Sequence, residues 1–490
     1  MAALSVASHV SALSAGISLS SQAFSTPVLI ATRSLLPLRL LRHNLFNNLS
    51  HLHMEPPLFN LFTGEMLRLS PGTAVDLLQF LGVALSVFLS IATFFLMREL
   101  LIPRWLCVPV IAVFVIGDPA QILFPSRYSI ALPSATILVS MAWSASRWIR
   151  TGRLSGGVLY SLLSTVLILL NSAFQIYLII VLVVPLVWSM RHRWQQTTLA
   201  LLAPLVLGGA WYVNELFQFN NFTTTSAWGM QLASTTVGGD AHSDLVALVA
   251  MKDLNSSALI PPYSCLAAYK KIARDPLHQV VALSLKEKFP CPKGANGFNA
   301  NSENYNNIAY VSISQGYLRN DLQWVLHRPL TFVHQLVQSA RSWMIPANEE
   351  NGGTSTGLGS YEQWYDHYVS WQPDPPNRSS GWSLVATSTS SLAWGTVVIS
   401  ICDLIILPLV LLWRRQQLTK TQRAMGWWMW MVIGALFLYA TLFAAGQGAL
   451  FRFEAGSLPI VAATAALYWI FLRPEKLEVP EEVEAKRIIV

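Results

Sequence analysis

VDLLQFLGVALSVFLSIATFFLM, Val75 to Met97, is apolar almost without interruption and stops at Arg98. A helix of about 20 such residues crosses the roughly 30 Å hydrocarbon core of a bilayer, so the stretch reads as a transmembrane segment. The whole composition agrees with that reading. Of 490 residues, 53% are hydrophobic and 12% charged, and the mean hydropathy is +0.45, whereas an ordinary soluble domain carries about 25% charged residues. The expected fold class is an all-α polytopic membrane protein.

Comparable stretches are Ile130 to Ile149, Leu154 to Leu170, Phe174 to Met190, Thr197 to Phe217, Leu392 to Trp413, Met425 to Ala445 and Ser457 to Leu472, with a shorter apolar run from Pro103 to Gly117. Counting room for more before residue 70, these predict about 9–11 transmembrane helices. The net charge of +7 is spread over short joints and forms no basic patch or tail, which argues against a nucleic-acid partner. Positive charge in short loops marks the cytoplasmic side. The basic joints are Arg98 and Arg104; Arg147, Arg150 and Arg153; Arg191 and Arg193; Arg414, Arg415, Lys420 and Arg423; and Arg473 and Lys476. Every second loop is basic. The alternation puts residues around 50–74, 118–129, 171–173, 218–391 and 446–456 together on the opposite face.

The chain therefore divides into an N-terminal segment 1–48, an N-terminal transmembrane module 49–217, an extracytoplasmic or lumenal loop domain of mixed helix and coil 218–391, a C-terminal transmembrane module 392–472 and a cytoplasmic tail 473–490. The first segment is Ser-rich, with Arg33, Arg39 and Arg42 and no acidic residue, a composition shared by targeting peptides and weak first spans. The loop domain contains the stretch RPLTFVHQLVQSARSWMIP, in which Val333, Leu336, Val337, Ala340 and Met344 fall on one helix face after Pro329, at a favoured first-turn position. Tyr310 to Leu326 carries a weaker version. Asn221, Asn255 and Asn377 begin N-x-S/T sequons, relevant in a eukaryotic host. Cys265 and Cys291 both lie in this region and can form a single disulfide in an oxidising compartment; Cys107 and Cys402 sit in apolar segments.

Ionisable groups near membrane depth are costly and usually face a protein interior or a wet cavity. The face opposite the basic joints collects several. HLHMEPPLFNLF offers His51, His53 and Glu55; GDPAQILFPSRYS offers Asp118, Arg127 and Tyr128; LLNSAFQIY offers Asn171, Ser172 and Gln175; GQGALFRFEAGSLPI offers Arg452 and Glu454. Arg452 is either an arginine snorkelling from a helix end or a guanidinium fork for a lipid phosphate. Glu55 is either a first-turn acid of the helix after Pro56 and Pro57 or a general base at the membrane surface. His53 is more simply structural, and Asp118 fits a turn. No metal-binding, Walker, dinucleotide or nucleophile-elbow motif occurs, and no cofactor or metal is expected.

Several stretches in order resemble the GT-C superfamily of integral-membrane glycosyltransferases, which use polyprenyl-phosphate or dolichyl-phosphate sugars. They are LHMEPPLFNLFTGEMLRL, SAFQIYLIIVLVVPLVW, LLAPLVLGGAWYVNELFQFNNFTTTSAWGMQLA, ENYNNIAYVSISQGYLRNDLQWVLHRPLTFV and LFRFEAGSLPIV, running over about Leu49 to Arg473. The resemblance implies a hexosyl- or pentosyltransferase with an outward-facing active site, in which a carboxylate deprotonates the acceptor and basic residues hold the carrier phosphate. It makes Glu55 and Asp118 the catalytic candidates. It makes Arg452, Glu454, His53, Arg127, Tyr128 and Gln175 the substrate-binding ones. The implied partners are a lipid-linked sugar donor, membrane lipid and an acceptor glycan, lipid or protein, in the endoplasmic reticulum membrane of a eukaryote or the plasma membrane of a bacterium. The chain departs from the family at one point. The family acid precedes the PPL segment, whereas Glu55 is the first acidic residue of this chain. Glu55 then substitutes for it, or the start of the chain differs, or the protein is a non-catalytic relative. A transporter is the remaining class, and the repeats expected of one are not visible.

Overall fold

The computed structural model describes residues 2–14, 18–19, 36, 38–117, 129–269, 304–344, 355–356, 402–413, 416 and 418–443. These are predominantly helical. In chain order the helices are α1 Ala2–Ser14, α2 Leu38–Arg42, α3 Leu45–Leu49, α4 Pro57–Met66, α5 Pro71–Glu99, α6 Arg104–Gly117, α7 Ala131–Thr151, α8 Leu154–Leu170, α9 Ile176–Ser189, α10 Trp194–Ala203, α11 Gly209–Phe219, α12 Trp228–Thr235, α13 His242–Ala250, α14 Ala309–His327, α15 Pro329–Met344, α16 Leu407–Trp413 and α17 Lys420–Phe443. Among the described residues the sole extended pairing is two residues long, Ser18 and Leu19 antiparallel to Thr356 and Ser355.

The long helix α5 shows how local sequence sets its ends. Ser70 caps it by accepting the Thr73 amide at 3.3 Å, and Pro71 occupies the first turn, where its missing N–H costs nothing. At the other end Arg98 donates to the Ile102 carbonyl at 2.6 Å, a cation at the negative end of the helix dipole. α5 and α17 are long and apolar enough to cross a membrane, and α9 with residues 191–198, bent by 101°, makes a third span if the pair is one. The other expected spans differ for identifiable reasons. The stretch from Thr197 to Phe217 is broken by a π-helical segment, Pro204–Gly208, between α10 and α11. α8 has 17 residues and α6 has 14. Ser457 to Leu472 lies outside the described residues.

α7 has the length, at 21 residues, but its composition is small and hydroxylic. It is the central helix: α5 and α8 pack along it and α17 touches it. Ser134, Ala135, Thr136, Ser140, Ala142, Ser144, Ala145 and Ser146 are all buried. Most of their hydroxyls are satisfied within the helix. Thr136, Ser140 and Ser146 each bond the carbonyl four residues back, at 2.8, 2.7 and 2.8 Å, so small polar residues line a close helix contact with their groups satisfied. Outside, the surface is apolar: Phe80, Phe88 and Phe95 on α5, Val158, Leu162 and Val166 on α8, Ile180, Val184 and Trp188 on α9, and Leu409, Leu412 and Trp413 on α16 are all exposed. α15 departs from the expectation in the same sense. Its stripe members Val333 and Val337 face outwards, whereas Gln335 and Ser339 are buried, Gln335 lying against Gly239.

The helices share two chemically distinct ends. At one, Arg150 pairs with Glu99, Gln422 donates to the Leu100 carbonyl at 3.0 Å, and Arg193 lies over Gly152, whose φ of 66° closes α7 in a conformation that suits glycine. At the other, residues 51–56, 171–175, 224–231 and 304–307 meet the C-terminal end of α17. A second core is built on that end by α12, α13 and α14 with Met54, centred on Met230, Tyr269, Tyr310, Tyr317 and Trp324.

The α7–α8 contact depends on two glycines. A Cβ on Gly157 would stand 2.8 Å from the Trp148 ring, and one on Gly156 would stand 3.1 Å from the Ser144 carbonyl. Gly157→Val is expected to lower unfolding stability in detergent by about 1–3 kcal/mol, the usual cost of overpacking, whereas Val158→Leu on the exposed face of the same helix leaves the melting temperature unchanged.

Candidate functional site

The segment His51 to Pro56 passes between the helix bundle and the second core. Two asparagine- and threonine-rich loops hold it from either side. The His53 amide donates to Asn306 Oδ1 at 2.9 Å, and Asn306 Nδ2 donates to the His51 carbonyl at 3.0 Å. The Ser226 amide donates to the His53 carbonyl at 2.7 Å, and the Thr225 hydroxyl to the Met54 carbonyl. The Met54 side chain is buried in the second core.

The His53 ring is buried and fully engaged. Nε2 meets the Asn306 carbonyl at 3.1 Å, Nδ1 meets the Ser226 hydroxyl, and the ring packs 4.9 Å from that of Phe219. A carbonyl can only accept, so Nε2 carries the proton and Nδ1 accepts from Ser226. Burial pushes the pKa of His53 down to about 4, opposed by the backbone hydrogen bonds of Asn306 and Asn307. The ring is neutral at physiological pH and serves as a clasp between segments 253 residues apart.

Gln175 makes the next clasp. Its Nε2 donates to the Ser172 carbonyl at 2.7 Å and to Thr224 Oγ1 at 2.6 Å; its Oε1 accepts from the Tyr212 hydroxyl and from the Thr224 amide at 3.3 Å. Asn171 extends the layer by donating to Ser134 Oγ at 3.1 Å. Trp228 completes the joint from above, its ring 4.6 Å from Phe443 and 6.4 Å from both Tyr177 and Tyr439.

Glu55 lies at this junction, 6% exposed. α4 begins at Pro57 with Pro56 as its cap residue, so Glu55 precedes the helix and is not a first-turn acid. The structure thus brings together Glu55, His53 and Gln175 from two separate stretches of sequence. Asp118, Arg127, Tyr128, Arg452 and Glu454 lie outside the described residues, as does Cys291, the expected partner of the buried Cys265. Asn221, the first sequon residue, turns its amide inward, to Thr223 Oγ1 at 3.1 Å and the Thr225 carbonyl at 3.2 Å.

Two buried carboxylates escaped the sequence reading. Glu215 on α11 is fully buried, one turn before Phe219, and neither carboxylate oxygen has a hydrogen-bond partner among the described residues. It was hidden in a stretch that reads as the end of a span. Asp321 on α14 is also fully buried; burial raises its pKa to about 8, against the Thr236 hydroxyl bond, which lowers it. A lone acid in a helical pattern gives no sign of which side it faces. Among the described residues no group of three or more His, Cys, Asp or Glu is placed to hold a metal ion.

The chain matches no family model, no curated protein and no solved structure in these comparisons.

His53 has a depressed pKa, so its contribution to stability is complete above about 6.5 and declines as pH falls towards about 4. Denaturation in detergent at pH 7, 5.5 and 4.5 is expected to show that decline, and His53→Asn to be less stable at pH 7 with a shallower slope; equal slopes would remove His53 from the account. Glu215→Gln is expected to fold with an unchanged or higher melting temperature, since a buried carboxylate without hydrogen bonds gains nothing from its charge.

Proposed function

We propose that the chain is a multi-pass membrane glycosyltransferase of the GT-C type, moving a sugar from a polyprenyl-phosphate-type carrier to an acceptor at the end of the bundle covered by the second core. One observation supports this above the others. Glu55, His53 and Gln175, singled out as polar groups of the outer face, meet at one buried junction at the end opposite Arg150, Arg193 and Lys420. Glu55 is the proposed general base, withdrawing the acceptor proton as the acceptor attacks the sugar carbon and the carrier phosphate leaves with the bonding electron pair. Arg452 is the proposed phosphate ligand, its guanidinium matching the phosphate oxygens in a bidentate fork. His53 and Gln175 are positioning residues in this reading, because their hydrogen bonds are used within the protein. The bundle contributes orientation of donor and acceptor, and exclusion of water under the cover.

A second reading is a non-catalytic protein of the same architecture, such as a subunit of a larger complex. The complete internal engagement of His53 and Gln175 favours it, since such a junction holds the fold together without a substrate.

Sugar transfer from labelled polyprenyl-phosphate sugars in detergent separates the two. Glu55→Gln is expected to reduce turnover by about 10²–10⁴-fold, the usual contribution of a general base, with donor binding retained, and Arg452→Ala to weaken donor binding. Full turnover in Glu55→Gln would overturn its assignment. Donor binding without turnover in the unmodified chain would establish the non-catalytic reading.

A further inference from the structure

At the basic end, the bend after α9 and the start of α17 enclose a groove of about 510 Å³, within the usual range of small-ligand sites. Its mouth carries Arg191, His192, Lys420 and Arg423, all exposed, and its wall is made by Val184, Pro185, Trp188, Trp427 and Met431. Among the described residues no acidic side chain lines it. Arg191, Lys420 and Arg423 have no ion-pair partner among the described residues, whereas Arg150 at the same end pairs with Glu99 and Arg328 in the second core pairs with Asp240 and Asp244.

We propose that this groove is a binding site for an anionic phospholipid, its phosphate held by Arg191, Lys420 and Arg423 and one acyl chain lying along Val184, Trp188, Trp427 and Met431. Three features select a lipid over a free anion. The cationic mouth and the apolar wall are continuous, so one ligand must satisfy both. Val184 and Trp188 belong to the exposed apolar surface of the bundle, so the groove opens directly onto the region where acyl chains lie. Tryptophan and basic residues together are the side chains suited to the headgroup level of a bilayer, and a basic pocket between helices on the face marked by positive joints meets the leaflet that carries anionic lipid. The site is at the opposite end from Glu55. It requires the bundle to sit in a bilayer and is independent of sugar transfer.

Native mass spectrometry of the full chain in detergent tests this, with phosphatidylglycerol, phosphatidylcholine of the same acyl chains, and glycerol 3-phosphate as probes. One phosphatidylglycerol is expected to be retained in preference to phosphatidylcholine, and glycerol 3-phosphate not to compete. The triple variant Arg191→Gln, Lys420→Gln, Arg423→Gln should weaken retention by at least about tenfold. Arg147→Gln with Arg153→Gln, exposed cations at the same end but outside the groove, should leave it unchanged. Lys420→Gln alone, expected to weaken retention about threefold, serves if the triple variant does not fold. Equal retention of both lipids, undiminished binding in the groove variants, or binding of glycerol 3-phosphate as tight as that of the lipid would each overturn the proposal; the last would mean a site for soluble anions.

Discussion

Trp148 lies against Gly156 and Gly157 where α7 crosses α8, and the rest of the bundle is arranged around that contact. Close approach of two backbones needs small residues between them, and α7 supplies serine, alanine and threonine on several sides because it is surrounded by α5, α8 and α17. Thr136, Ser140, Ser144 and Ser146 return their hydrogen bonds to carbonyls of their own helix, so most of the polar atoms that α7 buries are satisfied locally. Large apolar side chains occupy both the interior, as Leu138, Phe174, Leu182 and Trp428 do, and the outer surface, as Phe80, Phe88, Ile180 and Trp188 do. The apolar outer face is what differs from a soluble helical domain, in which the apolar stripe is buried and the opposite face is polar and wet.

The same logic links the bundle to the junction above it. His53 and Gln175 sit where helix ends stop and backbone groups lose their helical partners. A buried loop must find replacements for those bonds. Here Asn306, Ser226, Thr225 and Thr224 provide them, so the Asn- and Thr-rich composition of the loops is the hydrogen-bonding material of a buried joint. Gly229 reflects the same tightness: a Cβ there would be 1.8 Å from the Ser314 carbonyl, so α12 and α14 touch backbone to backbone.

The opposite end has the contrary chemistry. Cations there are exposed and mostly unpaired with acids among the described residues, and they border apolar groove walls. Charge with little compensating acid is stable at a surface that meets anionic lipid and water together. The two ends are therefore specialised by charge and not only by position along the helices.

Much of this was legible in the sequence. Apolar stretches such as Val75 to Met97 give helices long and apolar enough to cross a membrane, where backbone polar groups must be satisfied within the helix. The alternation of basic joints sorted the loops into two sets; among the described residues Arg150 and Arg193 lie at one end and residues 51–56, 171–175 and 224–226 at the other, while 118–128, 446–456 and 473–476 lie outside the described residues. α7 is less apolar than α5 and α17, because a central helix is selected for small side chains, and the apolar periodicity of α15 misplaced its exposed side, because it locates a stripe without saying what faces it. The tertiary structure alone decided that His53 is a clasp between distant segments, that Glu55 precedes its helix and that Glu215 is buried. The first and last of these depend on contacts between segments far apart in the chain, with energies set by burial and partner geometry, and a linear pattern carries neither.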